Sequence, residues 1–585
     1  MTADIPNTFD GPGDRNAARP VIRGRSGVVA AGHPLAAAAG HEILRQGGNA
    51  IDAGVAAGLV TNVVHHDMTS FGGVAPIILY SAADETVHTV SGVGRWPEQA
   101  SIEYFEENYD GGYPEGILRS VVPAAPDAWI TALKLGGQLT FGEVASPATR
   151  IARNGYPVYE FQHENIKKGK ERYAAYPSTA DVMLSDGSVP AVGEPLVQEA
   201  LAETFDRLAA AEREHDERER GLTAARDYFY TGPIAETIGE FSETHGGLLR
   251  QADLMSFAVG TESPVHIEYK DYDVYTCGPW SQGPVFAQTL AILEAFDLRA
   301  MGHNSAEYIH TLLEALKLAF ADREWYYGDP DFVDVPIDEL TAAGYGAQRA
   351  QAIAADDAMT ELPSPGETSV DPTVYDLDHL KAEPTIAASP FHQDTSYIAA
   401  MDADGNVFSA TPSDSCGGTP MIPELGIPIS TRGSQSRLDP RHPNRLEPGK
   451  RPRLTPNPAL VLKDGQPFMA LGTPGGDVQP QAMVQVFLNQ VEFGMNPQQA
   501  IEAPRVATYN FPASFFPHNY YPGVSAGEGG IDDTTFARLN DRGHDMQRWN
   551  RLYRAGGVNV ARRDADTGVL LAGADLRREN YALGE

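Results

Sequence analysis

Two short apolar strand pairs, each turned back at an Asp-Gly step, constrain this chain more than any other feature. Residues 396–401 and 406–410 flank Asp402-Ala403-Asp404-Gly405, and residues 459–463 and 467–472 flank Asp464-Gly465. Asp-Gly between two apolar, β-branched runs predicts a tight hairpin, because Gly accepts the positive φ that such turns demand. Further strand signals fall at 75–80, 86–91 and 265–276. Helical patterns fall at 35–46, 50–63, 141–154, 195–214, 284–296, 305–326, 482–493 and 497–503. These elements show neither a clean strand–helix–strand alternation nor an internal repeat. The expected class is therefore mixed α/β (α+β) in layers, and periodicity leaves the order of the layers open.

At 585 residues the chain can bury a large core or several. Its formal charge of −35 repels phosphate backbones and argues against a nucleic-acid partner. Nine Lys stand against thirty-five Arg. An acidic, Lys-poor surface fits a protein working in high salt, and a GC-rich genome explains the same bias. Cys277 and Cys416 lie far apart, allow one disulfide at most and have no zinc spacing; two buried thiols are the expectation. Residues 1–27 begin polar, acidic and turn-rich, unlike a signal peptide, and are read as a disordered tail. No run approaches a membrane span, so the expected location is cytoplasmic. Residues 351–390, rich in Ala, Asp, Glu and Pro, read as an exposed, loop-like segment that delivers the chain to the first hairpin. The charged run 212–220 reads as a solvated helix face.

Common hydrolase signatures contribute little. Gly523-Val524-Ser525-Ala526-Gly527 fits G-x-S-x-G, but a nucleophile elbow needs a helix after it, and Glu528-Gly529-Gly530 follows; a glycine-rich loop is the better reading. His65-His66-Asp67 are adjacent and so point in different directions, which argues against a metal site.

A set of ordered blocks is more specific. Gly47-Gly48-Asn49-Ala50-Ile51-Asp52-Ala53, Gly155-Tyr156-Pro157-Val158, Phe229-Tyr230-Thr231-Gly232, Gly246-Gly247-Leu248 up to Asp253-Leu254, Glu314-Ala315 to Asp322-Arg323, Gly328-Asp329-Pro330, Gly472-Thr473-Pro474-Gly475-Gly476 and Ala503-Pro504-Arg505 occur in that order. Together they resemble the γ-glutamyltransferase family from about residue 28 to the C-terminus. The resemblance implies a four-layer αββα sandwich of the N-terminal-nucleophile hydrolase type, with no cofactor and no metal.

The resemblance also implies a nucleophile. In that family a Thr begins a strand nine residues before an Asp-Gly turn, and Thr395 stands nine residues before Asp404-Gly405. Thr is common in strands, so the position alone would mean little; its register within the ordered blocks gives it weight. A Thr hydroxyl is a weak nucleophile until a base takes its proton, and a free α-amino group on the same residue, titrating near ~7.7–8.0, can be that base. Cutting the Asp394–Thr395 bond would create it. The implied division is a large subunit, 28–394, and a small one, 395–585, that stay together. Gly475 and Gly476 would present N–H groups to an oxyanion. A second hydroxyl eighteen residues after the nucleophile falls on Ser413, with Thr411 as the alternative if Pro412 shifts the register.

Where the family places acidic or amide side chains for a glutamyl α-ammonium, this chain has Arg432 and Gln435. Arg suits a carboxylate, which its planar fork binds bidentately. The family's Ser-Ser pair aligns with Leu454-Thr455, and its substrate-carboxylate Arg aligns best with Arg95, although either arginine could equally be solvated or ion-paired at the surface. The expected substrates are small amides of γ-glutamyl or related dicarboxylic acids, such as glutaryl groups, with water or an amine as acceptor; an oligomer is possible. True γ-glutamyl transfer and an inactive binding protein on the same fold are the competing readings.

Overall fold

The computed structural model describes residues 17–374, 376–382, 394–549 and 555–585. Two seven-stranded sheets form its centre, and every pairing within them is antiparallel. The first runs Ile22–Gly24, Leu570–Ala574, Asn559–Arg563, Gln466–Gly472, Ala459–Lys463, Tyr272–Thr276, Val265–Tyr269. The second runs Tyr581–Gly584, Gly27–Ala31, Ile398–Asp402, Val407–Ala410, Ile77–Ser81, Thr86–Val90, Thr261–Glu262. Each predicted Asp-Gly hairpin thus lies in the interior of its own sheet.

Side-chain alternation along the strands builds three cores. Tyr397, Ala399 and Met401 of the second sheet meet Leu460, Leu462 and Ala470 of the first. Ile398, Ala400, Phe408 and Ala410 point the other way, into helices Pro34–Arg45, Ala50–Val64, Ala125–Gly136 and Phe141–Asn154. On the outer face of the first sheet, Ala459, Val461, Met469 and Leu471 pack against Gly283–Leu293, Ala306–Tyr326 and Gln479–Val491. The layer order is helix, sheet, sheet, helix. Strands covered on both faces read as continuous apolar runs, which is why 396–401 carried no polar alternation.

The motif blocks do local structural work. Asn49 and Asp52 form a capping box at the start of Ala50–Val64, and Asp402 of the hairpin turn accepts the Ala50 N–H at 2.8 Å. That single carboxylate ties the turn to a helix N-terminus. Arg505 is buried against Asp575 at 2.7 Å, and Arg451 against Asp329 at 2.6 Å. These residues are cohesive features of the fold.

Four expectations need correction. Ile22–Gly24, inside the stretch read as tail, pairs with 570–572, while residues 1–16 lie outside the described residues. Residues 351–374 do lack regular structure, but they are pinned: the Gly366 N–H donates to Asp322 at 2.9 Å and the Leu362 N–H to the Tyr520 hydroxyl at 2.6 Å. Residues 383–390 lie outside the described residues. The charged run 212–220 is solvated as expected from Arg213 onward, but Glu212 is buried, accepting the N–H groups of Phe141 and Gly142, and the helix ends at Arg213 before Arg218–Tyr230 begins. Val524–Gly527 is a strand and not a loop, with Ser525 fully buried and no helix directly after it.

Candidate active site

The Ile398↔Ala410 register, carried three residues outward, brings Thr395 opposite Ser413 as an antiparallel bridge. The eighteen-residue spacing of the two hydroxyls is therefore a consequence of hairpin geometry. Thr395 Oγ1 lies 2.7 Å from Ser413 Oγ, and both residues are buried. Ser413, not Thr411, makes this contact.

With the Asp394–Thr395 bond intact, the Asp394 carbonyl oxygen is densely solvated by protein. Ser413 Oγ donates to it at 2.6 Å, Arg432 Nη2 at 3.0 Å and the Asp414 N–H at 3.2 Å. Ser413 has one proton, and its donation to Asp394 fixes the direction of the rest. Its oxygen then accepts from Thr395 Oγ1 and from Arg432 Nη2 at 2.6 Å. The hydroxyl proton of Thr395 is aimed at Ser413, and that of Ser413 at the carbonyl.

Arg432 is almost wholly buried and stacks over Phe515. Its Nη2 lies 2.9 Å from Asp394 Oδ1, yet no hydrogen points at that oxygen, because both Nη2 hydrogens serve the carbonyl and Ser413. The contact is an ion pair by proximity. The second carboxylate oxygen of Asp394 accepts the Ser415 N–H at 3.3 Å. Burial lowers the Arg432 pKa, but Asp394 and Asp414 outweigh it and hold the guanidinium charged.

Asp414 is a residue that sequence reasoning missed. Its φ of 91° lies in the left-handed region that non-glycine residues avoid. Ser430 Oγ, Thr431 N and Thr431 Oγ1 donate to its carboxylate and hold that conformation. The strained turn aims its N–H at the Asp394 carbonyl. Burial raises the Asp414 pKa.

A cleft opens beside Asp394 and Arg432 and is also lined by Arg119, Arg172, Glu115 and Phe515. Arg119 and Arg172 were not found from the sequence; they come from segments some 260 to 313 residues away from Arg432 and carry no local signature. In a chain of net charge −35, three guanidinium groups converge on one cleft.

The other expected residues fall as follows. Arg95 does not line the cleft; it is partly exposed and faces Asp331 at 3.8 Å. Gln435 is sealed against Thr455, accepting its N–H at 2.9 Å and donating to its hydroxyl at 3.2 Å. Gln282 joins Thr455 to the glycine loop, donating to the Thr455 and Gly476 carbonyls. Gly475 and Gly476 have φ of 133° and 59°, and neither N–H donates to another described residue. Both are therefore free to serve a ligand oxygen. His310, Glu314 and His544 bring ligand atoms within 4.8 Å, but Lys317 Nζ donates to Glu314 at 2.6 Å and fills the cation's place. His66 is spent on Gln198, while His65 packs against His33 and Tyr159.

The family model described as Gamma-glutamyltranspeptidase matches residues 36–585. The chain belongs to that family. This gamma-glutamyltranspeptidase-family protein is 33% identical to the Glutathione hydrolase-like YwrD proenzyme of Bacillus subtilis (strain 168), over 96% of this chain and 99% of the relative. It is 31% identical to the Acylase ACY 1 proenzyme of Pseudomonas sp. (strain V22), over 95% and 93%. The crystal structure of a cephalosporin acylase from Bacillus halodurans superposes with a TM-score of 0.84 at 29% identity, covering 100% of this chain and 99% of that one. The sandwich is thus that of the N-terminal-nucleophile hydrolases, and the protein is an amide-cleaving hydrolase/acyltransferase of this family. Among the described residues no helix is long and apolar enough to cross a membrane.

Proposed function

We propose that the chain cuts itself between Asp394 and Thr395 and then uses Thr395 to deacylate monoamides of dicarboxylic acids. The observation that carries this reading is the run Thr395 hydroxyl, Ser413 hydroxyl, Asp394 carbonyl, with links of 2.7 and 2.6 Å. In the first step Thr395 Oγ adds to the Asp394 carbonyl carbon. Its proton passes to Ser413, and the Ser413 proton passes to the carbonyl oxygen. Collapse of this tetrahedral adduct breaks the C–N bond and returns a proton to the Thr395 nitrogen, leaving an ester and a new amine. Water hydrolyses the ester, freeing the Asp394 carboxylate and the Thr395 hydroxyl. The α-amine then serves as base when the same hydroxyl attacks a substrate amide. Residues 1–394 and 395–585 would stay associated, because strands from both fragments interleave in both sheets. A cytoplasmic location remains part of this reading.

The acyl group follows from charge. A glutamyl α-ammonium entering this cleft meets Arg432, Arg119 and Arg172. A glutaryl group keeps the distal carboxylate and carries no ammonium. Loss of a charged partner costs about 1.5–3 kcal/mol, or roughly one to two decades in kcat/KM. Glutaryl p-nitroanilide is therefore expected to outperform γ-glutamyl p-nitroanilide by about tenfold or more. The relatives named as acylases fit this preference. Glu115, in the same cleft, favours the second reading, since it could pair with an ammonium. A tenfold preference for the γ-glutamyl compound would establish that second reading and remove the first.

A further inference from the structure

We propose that Arg432 is a catalytic residue of the chain's own cleavage, before it ever meets a substrate. The proposal rests on the reading that Thr395 attacks the Asp394 carbonyl. Arg432 occupies a position where sequence reasoning assigned only recognition of an acyl group, yet its Nη2 touches the reacting atoms themselves. One hydrogen goes to the Asp394 carbonyl oxygen at 3.0 Å and the other to Ser413 Oγ at 2.6 Å. As Thr395 Oγ adds to the carbonyl carbon, electrons move onto the carbonyl oxygen, and the guanidinium is already in place to stabilise them. The Asp414 N–H, held by its strained turn, supplies a further donor at 3.2 Å. A charge-assisted donor aimed at a buried oxyanion is stronger than a neutral one. The bond to Ser413 has a second effect. A cation donating to Ser413 Oγ makes that hydroxyl more acidic, which eases delivery of its proton to the carbonyl oxygen.

The placement of the guanidinium is over-determined. Asp394 Oδ1 stands 2.9 Å from Nη2, Asp414 Oδ2 4.0 Å from Nε, and Phe515 lies under the guanidinium plane. The residue on the acyl side of the scissile bond thus helps to seat the cation that activates that bond. Cleavage ends this arrangement. The Asp394 carbonyl becomes part of a free carboxylate no longer tethered to Thr395, and the guanidinium is left facing the cleft. Arg432 then serves the substrate's carboxylate, so one arginine works first in cis and later in trans.

The test follows cleavage of freshly translated, radiolabelled full-length chain by gel, with fragment termini read by mass spectrometry. Wild type, Arg432→Ala and Arg432→Lys are compared, the first variant with and without added methylguanidinium. Expected is cleavage before Thr395 in wild type and slowing by about 10²-fold in Arg432→Ala, the usual effect of removing an oxyanion donor. Methylguanidinium should partly restore the rate, an effect that repair of a merely structural defect would not produce. Arg432→Lys keeps the charge but not the paired donors, and should fall between; it serves also where the alanine variant fails to fold. Wild-type cleavage with unchanged rates in both folded variants overturns the role of Arg432 alone. An uncut wild type overturns the Thr395 reading and this proposal with it.

Discussion

Thr395→Ala is expected to leave one intact chain with no measurable amidase activity. The variant removes the hydroxyl that meets Ser413, which in turn donates to the Asp394 carbonyl, so on the proposed reading neither the N-to-O shift nor the later acyl transfer has a nucleophile. Loss of a covalent nucleophile costs on the order of 10⁴–10⁶ in kcat. The methyl and hydroxyl it deletes sit at a strand entrance and not in one of the main apolar cores, so the fold should persist. Mass spectrometry of the wild type should find a fragment that begins at Thr395, and gel analysis of the variant should find none. A wild-type chain that is fully active while intact would end the nucleophile reading. An uncut and inactive wild type with retained ligand binding would favour a binding protein on this fold.

Much of this site was legible because the chemistry rides on local geometry. The Asp-Gly turns announced both hairpins, and Asp464 and Gly465 do adopt φ of 51° and 72°. Once the hairpin register is known, the Thr395–Ser413 pair follows by counting outward from Ile398↔Ala410. Asn49 to Asp52 were legible for a similar reason, since a capping box is a short-range device.

What stayed illegible is non-local or conformational. Arg119 and Arg172 reach the cleft from separate segments, and no spacing rule connects them to Arg432. Asp414 matters through a φ of 91° that three hydrogen bonds impose, and nothing in Pro412-Ser413-Asp414-Ser415 announces it. Arg95 was chosen by alignment where the flanking spacing differs, and it faces Asp331. Gln435 was assigned to the ligand, but its amide is consumed by Thr455. The strands Gly27–Ala31, Leu570–Ala574 and Tyr581–Gly584 were missed because they are short and rich in Ala and Gly, which have weak strand preference, and Asn559–Arg563 because it is short and mostly polar. Tertiary pairing, not propensity, makes them strands: each finds a partner from a distant part of the chain or sits at a sheet edge beside one.

Gly475→Val tests the oxyanion loop, and the structure changes the reason for expecting an effect. A Cβ at this position would meet Gly556 Cα and Val478 Cβ at 3.5 Å, which is ordinary contact, so space is not the obstacle. The obstacle is the backbone: φ is 133°, and a β-branched residue there is strained. Relief requires the Gly475–Gly476 peptide to rotate. That rotation turns away the Gly476 N–H, which donates to no described residue and which the proposed reading assigns to a developing oxyanion. Losing one such donor typically costs on the order of 10²–10³ in rate. Because the loop is tied through the Gly476 carbonyl to Gln282, and through Gln282 to Thr455, the chain on either side should hold its place. Cleaved Gly475→Val enzyme is thus expected to show kcat reduced by about 10²–10³ with KM changed much less if, as proposed, the loop acts on the transition state and the arginine-lined cleft on the bound acyl group. Self-cleavage should be affected far less, since the donors on the Asp394 carbonyl are Ser413, Arg432 and Asp414. The measurement is the ratio of the two rates in one folded variant. Equal slowing of both would mean that one oxyanion site serves maturation and turnover alike, and an unchanged kcat would remove the glycine loop from catalysis.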